Sequence, residues 1–529
     1  MKKIKLILAW LLIAAMLTGC AGLTSALNGV QMVKYEDMEY VRPDMDVLQQ
    51  SLDAAFEAAQ GDDLKEIIDA IYAFYDEYDA FYTNYSLADI KSCCDLTDIY
   101  WAEEYSWCLE NAATVDAALE ELYYALAESP CREGLESEEY FGEGFFDAYE
   151  GESIYDEGLL SLLEQEAELI TRYYDLSALG TEYEYGSEEF YDACGNDMVH
   201  LMAELVALRQ EIAAYCGYED YPSFANDFYF YRDYTMEESR AYLQEVAQQL
   251  APVYRWLDRE KIWALTEDYY TEADTFAFVK KAAKNMGGTV LHAFLLMEEA
   301  GLYDIEWSEN KYATSFETYL TSYYEPFIFM NPELTRYDCL TLSHEFGHFC
   351  NDYASYGSYA GVDILEFFSQ GMEYLALCYG EDTEDLRLIK MADSLGLYVE
   401  QSAFASFEDR MYALEGEELT AENLCALYEE VALEYGFDAV GYDPREFVNI
   451  THFYTSPMYI LSYIVSNDAA MQLYQLEQEE AGAGLKLYED NLASQEVWFL
   501  TFLDTVGLQS PFEEGRLEQL ADMFREIFG

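Results

Sequence analysis

Basic side chains are scarce in this 529-residue chain. Its 27 Lys and Arg stand against 104 Asp and Glu, giving a formal net charge of −77 at pH 7 and a pI near 4.1. So acidic a surface repels nucleic acid, and no basic patch or nucleic-acid motif offsets it. The charge keeps an exposed protein soluble, and carboxylates lining a channel would favour basic peptides. Beyond the N-terminus no stretch reaches the roughly 18 uninterrupted apolar residues that a membrane span needs. None of the 11 cysteines falls in a CxxC or zinc-ribbon spacing, and a chain of this size needs no disulfide staples. The ten besides Cys20, including the adjacent Cys93 and Cys94, read as mostly buried thiols. Histidine occurs five times, at His200, His292, His344, His348 and His452.

The N-terminus is the exception to the charge balance. Lys2, Lys3 and Lys5 precede an apolar run, Leu6 to Leu17, which Leu17-Thr18-Gly19-Cys20 closes. A positive flank before so short an apolar core is a secretory signal rather than a mature membrane helix. The ending resembles the lipobox of bacterial lipoproteins, which implies cleavage before Cys20 and acyl chains on that residue. Residues 1–19 are then a signal peptide and residues 20–35 a lipidated tether. The mature protein is expected to be extracytoplasmic and anchored to the bacterial cell membrane through Cys20. Losing Lys2, Lys3 and Lys5 leaves 24 basic against 104 acidic side chains.

What the chain has in quantity is apolar and aromatic surface. Hydrophobic residues make up 52% and tyrosine alone numbers 50, so a large core is available and disorder does not follow from the charge. Helical spacing dominates from Pro43. Leu48, Leu52, Ala55, Phe56 and Ala59 form one face, Leu64, Ile67, Ile68, Ile71 and Tyr75 the next, and Val115, Ala118, Leu119, Leu122 and Leu126 a third. Residues 133–157, acidic, Gly-containing and aromatic, read as an irregular connection or a pair of short strands. Residues 36–190 are thus expected to form an N-terminal helical lobe, with 191–529 as the second region. Met198, Leu201, Leu205, Leu208 and Ile212 form another face, with His200 off its line and structural. A helix is expected from Thr235 to about Leu257, and His292 in the apolar run 289–299 reads as a core histidine. The segments 312–319 and 326–331 are β-like and bounded by turn residues. A short sheet there would either hold an extended peptide along its edge or brace the helices.

Chemistry concentrates at His344-Glu345-Phe346-Gly347-His348. Two histidines four apart project from one helical face, close enough to share a metal ion, and Glu345 beside the first can take a proton from a metal-bound water. With so few histidines, chance would rarely place two in this arrangement around a glutamate. A hydrolytic zinc needs three protein ligands and an open position. Asp363, Glu366, Gln370 and Glu373 recur downstream at helical spacing, so a second helix can aim one carboxylate at the ion, and Glu366 is the choice among them. One Zn2+ per chain is expected, with a peptide as substrate.

These residues resemble the thimet oligopeptidase and oligoendopeptidase F family of zinc peptidases. The likeness is strongest over residues 326–331, over Thr341 to His348, and over Glu366-Phe367-Phe368-Ser369-Gln370-Gly371-Met372-Glu373, which fits the family's Glu-x-x-Ser-Gln-x-x-Glu pattern. It resumes at Ile450-Thr451-His452-Phe453-Tyr454, and in all it spans roughly residues 200–520. The family's Gly-Lys segment before the strands is altered here, to Asn310-Lys311. The resemblance implies a mainly α fold, with two helical lobes around a deep substrate channel and a small β-sheet beside the HExxH helix. It implies His344, His348 and Glu366 as zinc ligands and Glu345 as general base and acid. It places His452 and a tyrosine, with Tyr463 and Tyr459 ahead of Tyr454, against the substrate and the developing oxyanion. Glu373, on about the face of Glu366, would orient a ligand. The activity implied is cleavage of internal bonds in short unfolded peptides. The rivals are a lipid-anchored peptide-binding protein that does not cut, and a zinc carboxypeptidase or dipeptidyl enzyme on a similar fold.

Overall fold

The computed structural model describes residues 32–137, 140–142, 144–149, 156–180, 182–184, 186–358 and 360–528. The expected signal peptide, Cys20 and all but the last residues of the expected tether lie outside them. The segments expected to be helical are helical. Helices α1 (Met45–Ala59), α2 (Leu64–Cys94) and α3 (Ile99–Ala127) each begin on an aspartate, Asp44, Asp63 and Asp98, whose carboxylate accepts first-turn N–H groups. Their apolar faces, with Leu48, Leu52, Ile71, Phe74, Leu119 and Leu122, meet in a small core. Leu87 and Ile90 at the far end of α2 belong instead to a second, much larger core.

Of the two expectations for residues 133–157, the irregular connection is the one found. Where described, they hold a helical turn at Arg132–Leu135 and a 3-10 turn at Phe145–Tyr149, with no strand. Phe145, Phe146 and Tyr149 close the small core. From Leu159 the chain packs into the larger one, through α4 (Glu157–Gly180) and α5 (Asn196–Tyr215). The helix expected from Thr235 is shorter than its pattern. Thr235 caps α6 (Met236–Gln249) in a capping box with Glu238, and the chain breaks at Leu250 before Pro252. His292 is a correction: it sits on the exposed side of α7 (Gly288–Ala300), which buries Val290, Ala293, Phe294 and Met297 instead. His200 on α5 is likewise exposed.

A three-stranded sheet follows, with order β1-β3-β2 (β1 Tyr303–Asp304, β2 Ser315–Leu320, β3 Glu325–Met330). β3 is central, parallel to β1 and antiparallel to β2, with Ser315 opposite Met330 and Leu320 opposite Glu325. Every residue of β3 is buried. The β1 end is tied by Lys311, whose ammonium donates to Asp304 Oδ1 (2.7 Å), Glu306 O (2.7 Å) and Met330 O (3.0 Å). The edge strand β2 is fastened to α2. Ser86 Oγ lies 2.9 Å from Thr318 Oγ1, and the N–H of Ser322 donates to Thr83 Oγ1 (2.7 Å).

Against the sheet lies α8 (Asp338–Ser355), crossed by α9 (Val362–Tyr379), then α10 (Glu384–Gly396) and the long buried α11 (Ile460–Glu479). The crossing of α8 and α9 explains Gly347. A Cβ on it would sit 2.5 Å from Ser369 Cα and 2.6 Å from Phe368 O, both backbone atoms of α9. Only glycine lets the helices approach this closely. Among the described residues no helix is long and apolar enough to cross a membrane. Gly347→Ala should cost at least about 1–3 kcal/mol and lower the thermal midpoint, because two backbones rather than a flexible side chain must move. An unchanged midpoint would refute this account of the crossing.

Candidate metal centre

The crossing at Gly347 sets Glu366 of α9 over the Nε2 atoms of His344 and His348 on α8. His344 Nε2 lies 3.6 Å from Glu366 Oε2, and His348 Nε2 lies 3.9 Å from Glu366 Oε1. One ligand atom from each residue falls within 4.8 Å of the others. Bonds of about 2.0–2.1 Å to a tetrahedral zinc would put such atoms about 3.3 Å apart, so two imidazoles and a carboxylate fit Zn2+ with little movement.

Two of the three side chains are held from behind. His344 Nδ1 is 2.9 Å from Glu373 Oε1. Glu366 accepts from Tyr459 OH (2.6 Å) on Oε1 and from Ser369 Oγ (3.2 Å) on Oε2. Asp363, the first of the downstream carboxylates, is turned away from the histidines. Its Oδ2 accepts from Tyr234 OH (2.7 Å), and Arg232 Nε lies 3.6 Å from Oδ1. Gln370 also points elsewhere, donating to Tyr463 O at 3.1 Å.

Burial and crowding set the charges. Burial pushes the Glu345 carboxyl up to about 7 against the pull of His344. His344 would be lowered by burial, but Glu373, Glu366 and Glu345 outweigh this and raise it to about 9. Burial and the neighbouring His344 hold His348 well below its ordinary value. The group is thus a buried, carboxylate-rich pocket suited to a cation.

Glu345 faces a cavity of about 1290 Å³, which His344, His452, Tyr459 and Tyr463 also line. Ser315 at the start of β2 donates to Glu345 Oε1 at 2.8 Å. Thr314, Ser315 and Phe316 give this end of the edge strand to the cavity, while the other end braces α2. His452 Nε2 and Tyr463 OH are 3.1 Å apart, and burial lowers His452 to about 4, so its imidazole is neutral. Tyr454 is not part of this group. It is fully buried, stacks on Tyr173 with ring centroids 3.9 Å apart, and donates to Met198 O at 3.1 Å.

The distal block is clamped by two buried arginines that sequence reasoning passed over. Arg209 donates to Phe453 O (2.6 Å) and also to Tyr454 O. Arg232 donates to Met458 O (3.0 Å) and Ser462 Oγ (2.8 Å), while Glu408 accepts the Met458 N–H at 2.8 Å. Met458, caught between them, has φ +68°, a strained value for a side-chain-bearing residue just before Tyr459. Ser315 was missed as well, although it lies inside the β-like segment before the motif. Lys390 was the subtlest omission. A lone lysine between Ile389 and Met391, in a run that also holds Leu386 and Leu395, was its signal.

Residues 35–153 match the family model described as the Peptidase M3 N-terminal domain. No curated protein matches the chain. Among solved structures, PZ peptidase A with inhibitor 2 superposes with a TM-score of 0.80 at 20% identity, over 94% of this chain and 99% of that one. An oligoendopeptidase F from Bacillus anthracis str. Ames gives 0.78 at 20%, over 94% and 98%. Oligoendopeptidase-F from Enterococcus faecium gives 0.56 at 16%, over 91% and 96%. At these identities the likeness is one of fold, and it extends over nearly the whole length of both partners. The mainly α architecture around a small sheet is therefore that of the oligoendopeptidase F structures.

Arg232→Met should destabilise the protein by about 3–5 kcal/mol, because it leaves Asp363 buried without its cation. Pairing it with Asp363→Leu should recover a large part of that loss. Thermal unfolding of the two singles and the double measures the coupling, and additive losses would show that the pair is not a unit.

Proposed function

We propose that the chain is a zinc-dependent oligoendopeptidase that cuts internal bonds of short unfolded peptides. The observation that carries this is the convergence of His344, His348 and Glu366 from two crossing helices, beside Glu345 and at the wall of one large cavity. The names of the structures sharing the fold, and the family model matched by residues 35–153, point the same way. When bound, Zn2+ would polarise the scissile carbonyl and acidify the attacking water.

The chain's own groups supply the rest. Glu345, raised to about 7 and fixed by Ser315, takes the proton of the attacking water and returns it to the leaving amine. The neutral His452 and the Tyr463 hydroxyl, paired with each other and lining the same cavity as Glu345, would serve as donors to a tetrahedral oxyanion. Tyr459, whose hydroxyl is on Glu366, orients that carboxylate and is the weaker donor candidate. The β2 edge at Thr314–Phe316 offers main-chain groups to an extended peptide. A binding protein that does not cut would have no use for a buried base at this position. The leader sequence supports an extracytoplasmic enzyme held at the bacterial membrane by lipid on Cys20.

Besides Glu345 and Glu373, the cavity is lined by Glu333, Asp393, Glu400 and Glu446, against Arg259 and an already paired Lys390. Peptides with Lys or Arg near the scissile bond should therefore be cut with a higher kcat/KM than matched Glu peptides. The difference should shrink as salt is added. Equal rates at low salt would remove charge as a selector.

Mass spectrometry of a mixed pool of short peptides tests the reaction itself. The parent should give internal cuts, and Glu345→Gln should retain zinc while losing at least about a hundredfold in rate. Ladders trimmed from one end would favour the carboxypeptidase reading. Intact peptides retained by zinc-loaded protein would favour a binding protein.

A further inference from the structure

Lys390 is 1% exposed, buried in a wall of the cavity. Its ammonium lies 2.7 Å from Glu373 Oε2 and 3.2 Å from Asp393 Oδ2, and 5.1 Å from the centroid of the Tyr374 ring. Asp393 in turn accepts from Tyr337 OH at 2.7 Å. The second oxygen of Glu373 meets His344 Nδ1 at 2.9 Å, on the side of the ring opposite Nε2 and Glu366. A continuous polar line thus runs from Tyr337 through Asp393, Lys390 and Glu373 to His344, crossing from α10 to α9 to α8.

We propose that Lys390 is a positioning residue for the metal centre, acting through Glu373 to fix the His344 ring with Nε2 directed at the ion. The inference rests on the zinc reading above. An imidazole ligand is oriented by whatever its other nitrogen bonds, and that partner is effective only if it is itself held. Glu373 is long and could turn about its own bonds. Lys390 fixes one oxygen so that the other stays on Nδ1. The ammonium is in turn held by Asp393, so the line ends on a carboxylate with a hydroxyl donor of its own. Lys390 has no bond to His344, His348 or Glu366, and its effect on them passes through Glu373.

A brace between α9 and α10 would affect stability alone, whereas a positioning role must appear in metal affinity. The test is zinc binding to the metal-stripped full chain, by competition with a chromogenic chelator, for the parent, Lys390→Met, Glu373→Gln and the double variant. Circular dichroism verifies that each is folded. Each single change should weaken zinc by about 10- to 100-fold, and the double should be within about twofold of Glu373→Gln alone. Parent-like affinity in folded Lys390→Met overturns the proposal, as does a double whose loss is the product of the singles. If Lys390→Met does not fold, Lys390→Gln, which keeps an amide donor but no charge, is judged by the same two criteria. A parent chain that binds no zinc would refute the proposed function, whereas a zinc-binding parent with an indifferent Lys390 would refute only this inference.

Discussion

The close crossing of two helices at Gly347 is the constraint on which the candidate site depends. The histidines come from one helix and Glu366 from the other, so their ligand atoms meet only because a backbone occupies the space a side chain would take. Everything around them maintains that approach. The sheet supports α8 from one side, and α11 lies along α9 from the other, with Ser466 Oγ donating to Asp363 O at 2.6 Å. The tyrosine and serine on Glu366 then fix a carboxylate whose backbone is already in place.

A second theme is the use made of scarce cations. Among the described residues Arg209, Arg232, Lys311, Lys390 and Arg516 are buried, and each has carboxylate or carbonyl partners. Burying a charge is costly unless it is paired, so these pairs are weak as sources of net stability but strong as determinants of geometry. Arg209 and Arg232 fix the backbone leading into Tyr459, Lys311 the sheet, and Lys390 the carboxylate behind His344. Five of the 27 Lys and Arg are used in this way, and with 104 Asp and Glu in the chain most carboxylates have no cation of their own.

The residues legible in the sequence were those whose relations are local. His344, Glu345 and His348 share one helical face, and Glu366 stands at a readable interval on the next helix, so their grouping could be expected from spacing and family likeness together. The two longer strands were legible from their bounded β-like runs. What was hidden depends on distant partners. Nothing near Lys390 in the chain announces Glu373, and nothing near Arg232 announces the carbonyl of Met458. His292 was misjudged because an apolar helix does not reveal which of its sides the core will cover. Residues 133–157 left two readings open because closely set aromatics suit a strand as well as the turns that here bury Phe145, Phe146 and Tyr149.

The fastening of β2 to α2 has a mechanical consequence. The strand is gripped at Thr318, and the turn beyond it at Ser322, by the helix that carries much of the small core, while its first residue, Ser315, holds Glu345. Glu345 is therefore tied, through Ser315 and a strand only a few residues long, to a helix that packs in both the small and the large core. A displacement of α2 along that strand would be transmitted to the Glu345 carboxylate.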